Sequence, residues 1–219
     1  MKKKILSGIA VILISVLMPT VSGWARDDFQ YWHEFSLRKK VTPQWAAMFR
    51  SEQWLRDDAQ DLYLANVSAG PVWTPGRFAE AGFFYRYQYQ EAATGDDLQE
   101  NRYYPELTLK LPRKRFTLSA RSRLEYRDRS VRDSWRYRQQ FKLAVPLAAF
   151  RHKVTPFVSD EIFADTASDT LSQNRFSAGF STPVLPHTEI RIFYLLKSDR
   201  QGGDWNESQV LGTGLDLLF

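Results

Sequence analysis

The stretch Phe116-Thr117-Leu118-Ser119-Ala120-Arg121-Ser122-Arg123-Leu124-Glu125-Tyr126-Arg127 decides the fold. Phe116, Leu118, Ala120, Leu124 and Tyr126 alternate with Thr117, Ser119, Arg121, Arg123, Glu125 and Arg127. A period of two sends successive side chains to opposite faces of a strand, so one face is apolar and the other charged. A helix would instead need apolar residues three and four apart. The next segment repeats the pattern, with Trp135, Tyr137, Phe141, Leu143 and Val145 set against Arg136, Arg138, Gln140 and Lys142.

The alternation extends in both directions. Phe29, Tyr31, His33, Phe35 and Leu37 oppose Gln30, Trp32, Glu34, Ser36 and Arg38. Ala79, Ala81, Phe83, Tyr85, Tyr87 and Tyr89 oppose Glu80, Gly82, Arg86, Gln88 and Gln90. Towards the C-terminus Thr188, Ile190, Ile192, Tyr194 and Leu196 oppose Glu189, Arg191 and Lys197. Tight connections at 40–43, 74–77, 112–115 and 183–187 alternate with longer polar ones at 91–100, 127–134, 165–173 and 198–206. Turn signals at hairpin spacing predict an all-β sandwich or barrel.

Composition narrows the function. The 219 residues are 43% hydrophobic and 25% charged, with mean hydropathy −0.43. That excludes a polytopic helical membrane protein, and the apolar content excludes a disordered chain. Cysteine is absent, which removes disulfides, thiolate metal sites, a cysteine nucleophile and an acylated cysteine anchor. Lys2, Lys3 and Lys4 precede an apolar run from Ile5 to Leu17, and small residues follow up to Ala25. This is the pattern of a signal peptide, so residues 1–25 are expected to be a cleaved leader and 26–219 a single barrel domain. Without the leader lysines 27 basic residues face 25 acidic ones, so the formal charge of +5 is weak evidence for nucleic acid.

A soluble sandwich and a transmembrane barrel share this alternation, so other features must separate them. The segments run roughly 11 to 14 residues, long enough to cross a bilayer at a tilt. Short turns alternating with longer loops fit a barrel with one short-turned end. Aromatic residues cluster where interfacial girdles should lie: Trp45, Trp73, Phe116 and Phe219 at one end; Tyr63, Tyr87, Tyr89, Tyr103, Tyr126, Trp135 and Tyr137 at the other. The final amphipathic run Gly212 to Phe219 resembles a barrel-assembly signal, with Gly214, Leu217 and Phe219 its marked positions. The expected fold is therefore an antiparallel transmembrane β-barrel in a bacterial outer membrane. Segments near 28–40, 43–56, 60–74, 77–91, 100–111, 115–129, 133–146, 153–165, 173–182, 187–199 and 205–219 number about eleven. Bacterial single-chain barrels normally have even numbers, which conflicts with that count, so about 10–12 strands are expected.

The mature chain also resembles DUF2490, a family of outer-membrane barrels without known activity. The resemblance rests on Tyr31-Trp32-His33-Glu34-Phe35, on Tyr85-Arg86-Tyr87 and on Arg136-Tyr137-Arg138. Pro156-Phe157-Val158-Ser159-Asp160-Glu161 and Gln173-Asn174-Arg175-Phe176 complete it. It implies an outer-membrane barrel and no particular chemistry.

The residues themselves offer little to an enzyme. His33, His152 and His187 have no metal-ligand spacing, and none is placed beside a serine in the manner of a lipid hydrolase. No catalytic group, metal or cofactor is expected, and no nucleic-acid partner. The charged face is the candidate site. Arg86, Arg102, Arg121, Arg123, Arg136, Arg138, Lys142, Arg175 and Arg191 are expected inside, with Glu106, Glu125 and Glu161 among them. Arg50, Lys110, Arg127, Lys197, Glu34, Glu52, Glu80, Glu189 and Asp216 share that face. Cross-strand neighbours lie about 4.5–5.5 Å apart, so Arg–Glu ladders can form. Two readings stay open. One is a narrow passive pore whose excess of arginine favours anionic solutes. The other is a plugged structural or surface-interaction barrel. Expected partners are outer-membrane lipid, the barrel-assembly machinery and a small anionic solute, around a monomer.

Overall fold

The structure, a computed structural model, describes residues 29–92, 96–129, 132–147, 153–166, 170–201 and 203–219. The expected leader and His152 lie outside them. Eleven strands make up the described residues: β1 Phe29–Lys40, β2 Trp45–Arg56, β3 Asp61–Gly76, β4 Ala79–Gln90, β5 Leu98–Pro112, β6 Thr117–Arg129, β7 Ser134–Ala144, β8 Thr155–Asp165, β9 Thr170–Leu185, β10 Thr188–Gln201 and β11 Asp204–Leu218. Each pairs with its sequence neighbour in antiparallel fashion, and β1 closes on β11. The sequence expectation of an all-β barrel holds.

Eleven strands fall within the expected 10–12 and depart from the usual even number. β1 and β11 run parallel, with Phe29 opposite Gln209 and Arg38 opposite Leu218. Hairpin-linked neighbours must be antiparallel, but no hairpin joins the first strand to the last, so the closing pair is free to be parallel. Both strands end at the tight-turn end, where the amide of Lys40 donates to the carbonyl of Phe219 at 2.7 Å and that of Phe219 to Arg38 at 2.8 Å.

Several expected loops are shorter than their composition suggests. Strand β10 continues to Gln201, which faces Asp204, so the polar stretch 198–206 is mostly a hairpin. Gly203 supplies a positive φ of 106° there. Likewise β9 starts at Thr170 rather than near 173. Between β6 and β7, Asp133 accepts from the Tyr126 hydroxyl at 2.6 Å and the Arg129 amide at 3.3 Å, which holds its carboxyl below the usual range.

The outer face is apolar through its middle, with Phe141, Leu109 and Phe83 more than half exposed. Trp45 and Trp73 pair at the tight-turn end, 6.3 Å between ring centroids, and Tyr126 and Trp135 at the loop end, 5.2 Å. Tyr63 departs from its expected place on this face. A bulge in the β2–β3 register, between Trp54 and Leu55, turns it inward, where it donates to Gln30 at 3.0 Å. Pro105 sits outward on β5, where it interrupts only the ladder to β6: pairing skips from Tyr103–Tyr126 to Glu106–Arg123.

Candidate functional site

The interior is built by the alternation of β6. Arg121, Arg123, Glu125 and Arg127 all point inward because they lie two residues apart. Neighbouring strands bring partners to the same depth. The carboxylate of Glu125, with no exposed surface, accepts from Arg138 at 3.0 Å and Arg123 at 3.3 Å, and Arg102 lies 3.5 Å away. Glu106 takes Arg123 at 2.5 Å on one side and Arg50 at 2.9 Å on the other. Glu161 takes Arg121 at 2.9 Å and Arg138 at 3.0 Å. Nearer the loops, Arg127 bonds to Glu100 and reaches Asp165 at 3.0 Å, where Arg136 joins at 3.1 Å. Each of these carboxylates thus serves two or three arginines, so the ions form a lattice across β5 to β8, joined by Arg50 of β2, rather than isolated pairs. Sharing of this kind offsets the several kcal/mol that each ion loses on leaving water.

The opposite wall is closed by apolar packing. Trp32 lies flat on Trp54, 3.8 Å between centroids and 3° between planes, among buried Tyr63, Leu64, Phe193, Leu195 and Val210. Strand β11 makes room for this cluster with glycine. A Cβ on Gly212 would stand 2.1 Å from the Phe193 ring, and one on Gly214 would stand 2.9 Å from the Arg191 guanidinium. Gly214 thereby serves the interior: Arg191 pairs with Asp216 at 2.8 Å and Glu34 at 3.1 Å across it.

A cavity of about 380 Å³ remains between these two fillings. It runs from the Trp32–Trp54 stack towards the tight-turn end and is lined by seven cations and five carboxylates. The cations are Arg50, Arg121, Arg123, Arg138, Lys142, Arg175 and Arg191. The carboxylates are those of Glu34, Glu52, Glu161, Glu189 and Asp216. The two ends of the barrel differ. At the loop end Leu64, Glu100, Ser134 and Asp165 are all buried. At the other end the Lys110 side chain is 41% exposed, beside Glu80 and Arg38. Among the described residues, the inward side chains are thus more deeply buried at the loop end than at the tight-turn end.

The residues singled out by alternation separate into three groups in the structure. Arg102, Glu106, Arg123, Glu125, Arg136, Arg138 and Glu161 lie in the ion lattice, whereas Arg86 holds Glu52 at 2.9 Å in a separate pair. Arg121, Lys142, Arg175 and Arg191 line the cavity. Gly214, Leu217 and Phe219 belong to the closing strand and its end, where the Phe219 ring stacks on His187 at 5.5 Å. His33 faces outward and meets Thr213 at 3.0 Å. Sequence reasoning missed Glu100 and Asp165, which complete the lattice, and Arg38, which binds Glu80 at 2.8 Å. All three continue the alternation of their strands, and that signal locates them.

No curated protein matches the chain. A solved structure, the anion-selective porin from Comamonas acidovorans, is similar with a TM-score of 0.40 and 11% identity. The likeness covers 79% of this chain and 57% of the porin, so the chain spans little more than half the porin's length. The family described as protein of unknown function (DUF2490) matches residues 29–208. The match takes in most of the barrel, and the chain belongs to the DUF2490 family.

Proposed function

We propose that the protein is a monomeric, non-enzymatic β-barrel of a bacterial outer membrane. On this reading its lumen is closed towards the cell exterior and forms a basic vestibule that admits anions from the periplasm. The membrane part of the reading is supported by the outer face, which is apolar at mid-height and carries aromatic pairs at both ends. Strands of 11 to 16 residues, at about 3.3 Å per residue, reach across a hydrocarbon core even when tilted. Residues 1–25 serve on this reading as the export signal, and Gly214, Leu217 and Phe219 as the mark read by the assembly machinery.

One observation carries the vestibule reading: the ion lattice and the tryptophan stack fill the loop end while a cation-lined cavity remains beyond them. An anion entering from the tight-turn end meets seven cations against five carboxylates. It then meets packed side chains instead of a path. The test is single-channel recording on protein shown to be folded by its heat-dependent gel mobility. Folded but silent barrels support the closed vestibule.

A second reading, a narrow conducting pore that favours anions, draws on the same excess of arginine. It requires the lattice to part. On that reading the double variant Arg121→Glu with Arg136→Glu reduces anion preference, and unchanged selectivity removes the basic track from the argument.

A further inference from the structure

Two of the seven cavity cations have no carboxylate. Among the described residues Arg175 makes no ion pair, and its Nε has no hydrogen-bond partner. It lies instead over the rings of Trp32, Trp54 and Phe163, at 4.7–4.9 Å. Glu161 stands directly opposite in the β8–β9 register, but Arg121 and Arg138 already occupy it. Lys142 is similar: its ammonium lies 4.0 Å from the centroid of the Phe157 ring and forms no ion pair among the described residues. Elsewhere in the lumen arginines share carboxylates, so these two cations depart from the rule of the interior. Aromatic faces offset only part of the cost of a desolvated cation.

The two cations belong to one place. Lys142 on β7 faces Ser159 on β8, and Ser159 faces Ser177 on β9. The two serine hydroxyls are buried and 2.7 Å apart. Arg175 stands one inward step further along β9 from Ser177. Lys142 and Arg175 therefore flank a row of hydroxyl groups across three adjacent strands, roughly 10 Å wide. Beside this row the lining is apolar: Phe157 lies one inward step from Ser159 on β8, and Leu195, with Phe193 next to it on β10, faces Ser177. Glu189 also lines the cavity without an ion pair and reduces the positive field only in part. The volume, about 380 Å³, falls in the range of organic ligand sites and far exceeds the space that a bare inorganic anion fills.

We infer that this cavity is a binding site for a small organic anion. Its phosphate or carboxylate head sits between Arg175 and Lys142 on the Ser159 and Ser177 hydroxyls, and its apolar body lies against Phe157, Phe193 and Leu195. The inference rests on the vestibule reading above and names what the vestibule takes.

The test is isothermal titration of the folded, full-length barrel in detergent with phenyl phosphate, phenol and inorganic phosphate. Phenyl phosphate is expected to saturate one site and to bind at least about tenfold more tightly than either fragment, since each supplies half of the contacts. Arg175→Gln and Lys142→Gln are each expected to weaken it at least about tenfold. Arg77→Gln, at an exposed cation of the turn between β3 and β4 and outside the cavity, should leave binding unchanged. Retained heat-dependent mobility shows that each variant is folded; should Arg175→Gln fail to fold, Lys142→Gln decides alone. The inference is overturned if phenol binds as well as phenyl phosphate, or inorganic phosphate does, or if a folded variant keeps full affinity. Conductance separates the two levels. A conducting barrel that binds phenyl phosphate overturns the closed vestibule and keeps the site, whereas a silent barrel that binds nothing overturns the site alone.

Discussion

Arg50 on β2 and Glu106 on β5 meet at 2.9 Å although two strands separate them on the wall. The pair is a chord across the interior. Glu106 also holds Arg123 on the neighbouring strand, so the chord is tied into the lattice of β5 to β8. Cross-lumen ties of this kind stiffen a barrel and occupy the space through which a solute would pass.

Glu125 is the node whose loss should cost most. It is fully buried and faces Arg102, Arg123 and Arg138. Glu125→Gln leaves three guanidinium groups short of charge and should destabilise the folded barrel by about 3–5 kcal/mol. Breaking the half-exposed Arg56–Asp61 pair by Asp61→Asn should cost at most about 1 kcal/mol. Urea titration of the refolded protein compares the two. Equal losses would show that the lattice contributes no more than a surface pair.

Gly212 is required by the Phe193 ring, not by backbone conformation. Gly212→Ala drives a methyl into the ring and should destabilise by about 1–3 kcal/mol. Trimming the ring in Phe193→Leu should restore part of the loss in the double variant. A double-mutant cycle with no coupling would contradict that assignment.

Phe141 separates the membrane reading from a soluble one. It is exposed on the outer face at mid-strand. Phe141→Arg should lower stability in lipid vesicles by about 2–4 kcal/mol, because a charge then faces hydrocarbon. In water the same change at an exposed position would be nearly neutral.

Phe219 is tied to β1 by two backbone hydrogen bonds and rests on His187. Deleting it should leave the purified chain able to refold in detergent, at a loss of about 1–3 kcal/mol. In cells it should sharply reduce the amount of barrel in the outer membrane. Undiminished insertion would show that the terminal aromatic is structural only.

Much of this architecture was legible as alternation. The period of two in Phe116 to Arg127 fixes both the strand and its charged face, and Arg123 and Glu125 lie inside for that reason. Closure was not legible. Parity argued against eleven strands because hairpins impose antiparallel order, and nothing local in Phe29 or Leu218 announces that they belong to a parallel seam. Tyr63 was misplaced because one bulge reverses the faces of a strand, and bulges leave no fixed signature. The partners were hidden too: Arg50 and Glu106 are 56 residues apart and meet through space that only closure creates. The unmatched state of Arg175 is invisible in sequence for a related reason, since Glu161 faces it in register yet is held by Arg121 and Arg138.

The central claim is that the loop end is shut while the other end holds a cationic vestibule. Single-channel recording in a planar bilayer tests it most directly, on protein shown to be folded by its heat-dependent gel mobility. The account predicts inserted barrels without steady conductance. A stable ohmic current with anion preference in the unmodified protein would contradict it and would show that the lattice leaves a path.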